Sequence, residues 1–378
     1  MVRRGLVHSL LILVSIGVLS TGAFAQTIRI GIELSLTGYA ATYGEDAKRG
    51  TELAIDEINN AGGVNGKKLE AVYEDDGGVG KTAVSATQKL IGGDKVSVII
   101  GGITSSAALS AAPLAKENKV VFLASFCSHP ELTGPGGYVY RLGNNIREEA
   151  KTAGRFAARV LKLKKSGSLA ATSDYGRNFA KFTRDSFEEE GGTSLLAEEF
   201  AVNANDFRSQ LTKIKAKNPE ILFVAATVKE AAQILRQMTE LRMKIPVYSS
   251  SMFDDPLLVK LAGESAENVY YIRVGRVPGE EGKKKEKIFN KKFKDKFPGK
   301  EPAICAVYYY DGIGLIFTAI KLAGETGPDI DRGMRKIRDY PGLTGNITFN
   351  EIGDRDIKNV TMKIEKGKPV EIGSTSSN

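Results

Sequence analysis

The stretch from residue 96 to residue 106 constrains the fold of this chain more than any other stretch of similar length. It is a largely β-branched apolar run that ends in Gly101 and Gly102 and is followed by Thr104, Ser105 and Ser106. Such a run is typical of a strand buried on both faces of a parallel sheet. The hydroxyls can cap the alanine-rich helix that follows, and ligands of open α/β sheets bind where strands end. The stretch therefore predicts a βα turn that is either a plain helix cap or part of a ligand site.

The same alternation of strand and helix recurs along the chain. One set of apolar runs predicts the strands of a first sheet, near residues 28–32, 69–73, 96–100, 120–124 and 138–142. A second set predicts another sheet, near residues 168–172, 195–201, 221–226, 246–250 and 269–274, and a late pair of strands near 346–349 and 360–364 could belong to either sheet. A chain of 378 residues also exceeds the length at which a single core keeps growing. We therefore predict an α/β protein with two doubly wound βα lobes.

The N-terminus has the pattern of a secretory signal. Arg3 and Arg4 precede an apolar run, and Ala23-Phe24-Ala25 stands just before Gln26. Because the run is too short for a membrane-spanning helix, residues 1–25 are predicted to be a signal peptide that is removed. The predicted cleavage site has no adjacent cysteine, so a lipid anchor is not expected.

Composition and motifs argue against several classes of function. The formal net charge of +8 is mild, and the lysines between residues 283 and 296 are typical of a solvated helix face, so no nucleic-acid partner is expected. Residues 77–82 look like a phosphate-binding loop, but Asp75 stands where that motif requires glycine. Cys127 and His129 have no second ligand pair at metal-site spacing. The sequence therefore predicts neither a cofactor nor a metal.

Three segments are similar to those of a known family. They are residues 38–44 leading into GTELAI at 50–55, INNAGGVNG at 58–66, and AGESAE at 262–267. With the predicted signal and the two lobes, the sequence resembles the periplasmic branched-chain amino acid binding proteins, which are receptors of ATP-binding-cassette (ABC) importers. The resemblance covers nearly the whole chain after residue 25.

The resemblance implies a Venus-flytrap fold of the type I periplasmic binding class. In that fold three crossover segments join the two lobes, and we expect them near residues 141–144, 272–274 and 343–347. The expected division is a signal peptide at 1–25, a first lobe at 26–142 plus 274–344, and a second lobe at 143–273 plus 345–378.

The resemblance also implies a ligand site in the cleft between the lobes. The expected ligand-binding residues are Tyr43, Ser105, Phe126, Cys127, Ser128, Tyr175, Thr227, Ser251 and Asp254. Ser105 resembles the family serine that binds the ligand carboxylate, Ser128 matches a threonine that binds the amino acid, and Phe126 supplies a backbone contact. Tyr43 matches an aromatic wall of the pocket, and Tyr175 matches a tyrosine that closes over the ligand.

The sequence departs from the family pattern where the ligand amine is bound. Thr227 stands where an aromatic residue is usual, and Ser251 stands where the family has a glutamate that pairs with the ligand ammonium. Asp174, Asp254 or Asp255 could replace that glutamate. Without such a replacement, a buried ammonium would be unpaired at a cost of several kcal/mol, and an amine-free, possibly aromatic, carboxylic acid would compete as the ligand.

We therefore expect a monomeric periplasmic receptor that binds a small amino acid or a related carboxylate, passes it to the membrane permease of an ABC importer, and catalyses no reaction. Two alternatives stay open. A ligand sensor with the same fold would have a partner sensor kinase, whereas an enzyme such as an amidase would turn over an amide.

We also expect Cys127 and Cys305 to be free thiols, and one of the three consecutive tyrosines at 308–310 to reach the cleft.

Overall fold

A computed structural model describes residues 27–274, 279–355 and 357–373 of the chain. The predicted signal peptide at 1–25 lies outside the described residues. The described chain forms two α/β lobes, each built on its own sheet, as the sequence predicts.

The first sheet has five parallel strands in the order β2-β1-β3-β4-β5. They are β1 (Thr27–Leu34), β2 (Lys68–Asp75), β3 (Val98–Gly101), β4 (Val121–Ala124) and β5 (Val139–Arg141). The helices on one face are α2 (Gly80–Gln88) and α3 (Ser105–Glu117), and those on the other are α1 (Ala41–Asn60), α10 (Ile304–Ala323) and α11 (Gly327–Lys336). In β3, Val98 and Ile100 pack towards α1 and α10, while Ile99 packs towards α3. This burial on both faces explains why the strand is apolar at consecutive positions.

The second sheet has seven strands in the order β14-β13-β10-β9-β8-β6-β7. Its pairs are parallel except those of β13, which is antiparallel to both β10 and β14. They are β6 (Lys165–Ala171), β7 (Thr193–Phe200), β8 (Ile221–Ala225), β9 (Val247–Ser249), β10 (Val269–Val274), β13 (Asn359–Glu365) and β14 (Lys368–Gly373). The helices of this lobe are α4 (Ile146–Arg155), α5 (Asp174–Glu189), α6 (Arg208–Ala216), α7 (Val228–Glu240) and α8 (Pro256–Ala262).

Pro298, Gly299 and Pro302 separate helix α9 (Gly279–Lys296) from α10. Two late strands differ from the sequence prediction. The strand predicted at 346–349 is one half of a small ribbon of β11 (Tyr340–Gly342) and β12 (Gly345–Ile347). Strand β14 has no counterpart in the prediction.

The chain passes between the lobes three times. The first passage lies between β5 and α4, and the second follows β10. The third is later than the predicted 343–347, because the backbone N–H of Arg141 donates to the carbonyl of Gly353 at 2.8 Å and Asp354 pairs with the Arg141 side chain. Since these contacts hold the chain beside the first sheet up to residue 355, we propose lobes of 27–142 plus 279–355 and 143–274 plus 357–373.

Helix α10 is the most apolar long helix in the described part of the chain, and by composition alone it could cross a membrane. It packs instead between α1 and α11 inside the first lobe. The approach to α1 is so close that a Cβ on Gly50 would lie 2.1 Å from the carbonyl oxygen of Ala306.

Cys305 on this helix and Cys127 are both buried and free, as the sequence predicts.

Candidate ligand-binding cavity between the lobes

A cavity lies between the lobes, where the carboxyl ends of the parallel strands of both sheets face each other. Seven of the nine residues predicted from the sequence line it: Tyr43, Ser105, Phe126, Ser128, Tyr175, Thr227 and Ser251. The structure therefore brings together residues that are up to 208 positions apart in the chain. Their binding of a ligand remains a prediction.

Ser105 lies at the start of helix α3. Strand β3 ends just before Gly102, whose φ of +76° is readily adopted only by glycine, and Thr104 then caps the helix by accepting from the backbone N–H of Ala107 at 3.2 Å. The free N–H groups of the first turn and the helix dipole favour a negative group beside the Ser105 hydroxyl. This end of the cavity is suited to a ligand carboxylate.

Aromatic rings form the apolar part of the cavity. Tyr43 stacks on Phe126 with ring centroids 6.0 Å apart, and Phe126 contacts Tyr308 at 5.9 Å. Of the three consecutive tyrosines, Tyr308 is the one that lines the cavity. The three rings offer an apolar surface to a ligand side chain.

The two lobes touch each other across the cavity. The hydroxyl oxygen of Tyr43, on the first lobe, accepts from the backbone N–H of Val228 on the second lobe at 2.8 Å, and the hydroxyl donates to the carbonyl of Met252 at 3.4 Å. Nearby, the Ser106 hydroxyl donates to the carboxylate of Asp174 at 2.9 Å. The structure therefore has a closed cleft.

On the second lobe, two predicted residues are already engaged by neighbours. The Tyr175 hydroxyl hydrogen-bonds with that of Ser250, and burial raises the pKa of Tyr175 well above its usual value, so the phenol stays protonated. Thr227 is the N-cap of α7. Its backbone N–H donates to the carboxylate of Glu230 at 2.9 Å as part of a capping box, and its hydroxyl donates to the same oxygen at 2.9 Å. Both residues present their remaining surface to the cavity.

Glu149 also lines the cavity, and the sequence analysis missed it. Its carboxylate accepts from the backbone N–H of Ser251 at 2.7 Å and from the Ser251 hydroxyl at 2.9 Å. Burial raises the pKa of Glu149 to about 7. The available signal was an acidic residue on the same face of α4 as Ile146, Ala150 and Ala153, all of which are buried.

Comparison with known proteins agrees with this architecture. The chain matches the model of the family described as periplasmic binding protein over residues 27–362. This chain belongs to the periplasmic binding protein family. Among curated proteins it is similar to the Leu/Ile/Val-binding protein homolog 1 of Brucella abortus (strain 2308), with 27% identity over 349 residues that cover 92% of each chain.

Two solved structures show the same type I periplasmic binding fold. The branched-chain amino acid transporter substrate binding protein LivJ of Streptococcus pneumoniae, in complex with isoleucine, is 28% identical, with a TM-score of 0.84 over 92% of this chain and 100% of that one. A solute binding protein of an ABC transporter from Rhodopseudomonas palustris BisB5, in complex with 3,4-dihydroxybenzoic acid, is 25% identical, with a TM-score of 0.81 over 92% of this chain and 97% of that one. The shared fold therefore accommodates two different classes of ligand.

In this periplasmic binding protein, two of the predicted ligand-binding residues lie away from the cavity. Cys127 is buried in the core between α3 and the first sheet, where burial raises the pKa of its thiol. Asp254 pairs with Arg273, whose Nε donates to it at 2.7 Å. The local sequence could not show either arrangement, because both depend on tertiary contacts.

The other aspartates suggested as partners for a ligand amine do not line the cavity either. Asp255 caps α8 by accepting from the backbone N–H of Leu257 at 2.8 Å, and burial raises its pKa to about 6. Asp174 is exposed and accepts from Ser106. The buried carboxylates of the cavity wall are instead Glu149 and Glu230.

Proposed function

We propose that this periplasmic binding protein is the receptor component of an ABC importer, which binds a small amino acid or a related carboxylate in the interlobe cavity and delivers it to a membrane permease. The observation that carries the proposal is that residues of both lobes line one cavity and meet across it through Tyr43. A ligand held by both lobes stabilises the closed form, so closure can report to the permease that the receptor is loaded.

The cellular location and the oligomeric state belong to the same proposal. The predicted signal at 1–25 and the family support a periplasmic location, and we propose that the protein is a monomer. N-terminal sequencing of the exported protein should begin near Gln26, and light scattering should give the mass of one chain.

Binding without chemical conversion is also part of the proposal, and family membership supports it. Mass spectrometry should recover every bound compound unchanged after prolonged incubation with the protein. Recovery of an altered compound would favour the enzymatic alternative.

An aromatic carboxylate is a second candidate ligand. The rings of Tyr43, Phe126 and Tyr308 favour it, and the Rhodopseudomonas palustris relative was solved with such a compound. If the ligand is an aromatic carboxylate, only the proposed ligand class changes, and the proposed role as a receptor stays the same.

Thermal-shift screening followed by calorimetry tests the proposal. The panel should contain the L-amino acids, their deaminated counterparts and benzoate-type acids, because a ligand in excess of its Kd raises the unfolding temperature. We expect at least one member to bind with a stoichiometry of one per chain. Failure of the whole panel to bind would contradict the proposed ligand class.

Uptake measurements separate transport from sensing. A strain that lacks this protein should lose uptake of the radiolabelled ligand and regain it on complementation. Normal uptake together with loss of a ligand-induced transcriptional response would favour the sensor alternative.

A further inference from the structure

We infer that Glu149, together with Ser251 and with Tyr308 of the same cavity lining, binds a positively charged amine of the ligand. The ligand class is then an amino acid rather than an amine-free carboxylic acid. This inference rests on the proposed function and specifies the chemistry of the same cavity.

The first argument is the charge balance of the cavity. Among the described residues, its lining contains two carboxylates, Glu149 at 1% exposure and Glu230 at 4% exposure, and no lysine, arginine or histidine. Within the described residues, neither carboxylate forms an ion pair. Buried charges in proteins are normally paired. A positively charged ligand group would therefore supply the partner that these carboxylates lack.

The two glutamates differ in how their oxygens are used. Glu230 accepts three hydrogen bonds of 2.9 Å, from the backbone N–H of Asn203 and from the backbone N–H and hydroxyl of Thr227. These bonds stabilise the second lobe. Glu149 has Ser251 as its hydrogen-bond donor, with one bond to each oxygen. Since a carboxylate can accept about four hydrogen bonds, Glu149 has acceptor capacity left for a group in the cavity.

The second argument is the hydroxyl of Tyr308. It is fully buried, lines the same cavity and has no hydrogen-bond partner among the described residues. Burial is the main cause that raises the pKa of Tyr308, and the nearby charge of Glu149 adds to it. A buried hydroxyl without a hydrogen bond destabilises a protein. Its presence in the cavity lining therefore points to a ligand group that hydrogen-bonds with it.

An ammonium group can supply both the positive charge that Glu149 lacks and a hydrogen-bond donor to Tyr308. It has three donors, and the cavity lining offers three acceptors: the Glu149 carboxylate and the Ser251 hydroxyl oxygen on the second lobe, and the Tyr308 phenolic oxygen on the first. An amine-free acid would bring a negative charge beside two carboxyl groups, with no cation among the described lining residues, and this repulsion would oppose its binding. The cavity is therefore complementary to a zwitterion whose carboxylate lies at Ser105.

Glu149 could instead serve only to fasten α4 to the turn at Ser251–Phe253. In that case, its replacement would lower the stability of the protein and the affinity for all ligands together. A role in binding the amine predicts a change in the preference for amine over amine-free ligands, which a purely structural role would not alter.

The experiment is calorimetry with matched ligand pairs, leucine against 4-methylpentanoate and phenylalanine against 3-phenylpropanoate, extended to the other amino acids and their deaminated counterparts. In the unmodified protein, we expect the amine-bearing member of the pair that binds to be preferred by about a hundredfold. Glu149→Gln should reduce that preference by about tenfold or more, and Tyr308→Phe by a few-fold. The matched control is Glu148→Gln, because Glu148 is the exposed neighbour on the same helix and should leave the preference unchanged.

The outcomes separate this inference from the proposed function. Binding of amine-free acids as tight as that of amino acids, or an equal loss of both in Glu149→Gln, overturns the inference while the receptor function stands. Binding of neither series contradicts the receptor's proposed ligand class itself. Thermal unfolding of each variant confirms that the compared proteins are folded.

Discussion

The phenolic oxygen of Tyr43 accepts a hydrogen bond from the backbone N–H of Val228 at 2.8 Å. Tyr43 lies in the first turn of α1 on one lobe, and Val228 is the first residue of α7 on the other. Because a helix N-terminus has N–H groups without intrahelical acceptors, Tyr43 satisfies one of them only when the lobes are together. This contact therefore favours closure of the cleft.

Tyr43→Phe should weaken ligand binding without unfolding the protein. Loss of the hydroxyl removes its hydrogen bond with Val228 and the longer one to Met252, which should cost about 1 kcal/mol or more, at least roughly a fivefold rise in Kd. Calorimetry with the ligand found by screening measures the change. Tyr310→Phe is the control, because the Tyr310 hydroxyl donates to Glu57 outside the cavity at 2.8 Å. An unchanged Kd in Tyr43→Phe would show that this contact does not contribute to closure.

Ser105→Ala should lower the affinity by about 1–3 kcal/mol, because a buried ligand carboxylate would lose a hydrogen bond while its desolvation cost remains. Titration calorimetry gives the difference directly. Ser110→Ala, on the same helix and away from the cavity, should bind as the unmodified protein does, since the Ser110 hydroxyl donates to the carbonyl of Ser106. Equal Kd values for all three proteins would remove Ser105 from the site.

The buried carboxyl of Glu33 should make stability depend on pH. Burial raises its pKa from 4.5 to about 8, so the folded state keeps a proton that the unfolded state loses above pH 4.5. The free energy of unfolding should therefore fall as the pH rises from about 4.5 to about 8. Asp46, with its pKa raised by burial to about 7, contributes in the same direction.

Thermal unfolding measured between about pH 5 and pH 8.5 checks this dependence. Glu33→Gln should flatten the curve and raise the Tm at the alkaline end. Glu45→Gln, at a half-exposed position on α1, should leave the slope as it is. A Tm of the unmodified protein that rises over this interval would contradict the assignment.

Asp354→Ala should destabilise the protein by about 3 kcal/mol, because Arg141 would keep a buried guanidinium without its counter-charge. The Arg141 side chain is 1% exposed, and its Nε donates to Asp354 at 2.9 Å. Urea unfolding measures the loss. Glu240→Ala, which breaks the half-exposed pair with Arg208, should cost under about 1 kcal/mol. Equal losses in the two variants would mean that burial of the pair contributes nothing.

The sequence predicted most of the fold because buried parallel strands have a strong local pattern. Strands such as β3 and β8 are apolar at every position and are bounded by turn residues, so their places could be found without tertiary information. Strand β14 was missed for the opposite reason. Its residues 368–372 are all exposed at a sheet edge, so no buried face imposes a pattern on them.

The site was predicted in part, and the limits have a physical cause. Ser105 and Ser128 follow strands of the first sheet, so their approach to one cleft follows from the topology. Glu149 accepts from Ser251, which is 102 positions away, and this pairing exists only after the second lobe has folded. Asp254 seemed a plausible amine partner until the position of Arg273 was known.

A crystal structure of the complex with the tightest-binding compound from the panel tests the central claim most directly. We predict that the compound lies between the lobes, with its carboxylate against Ser105 and its amine against Glu149, in a cleft closed as described here. A compound bound outside this cavity, or one bound in it with its carboxylate facing Glu149, would contradict the account.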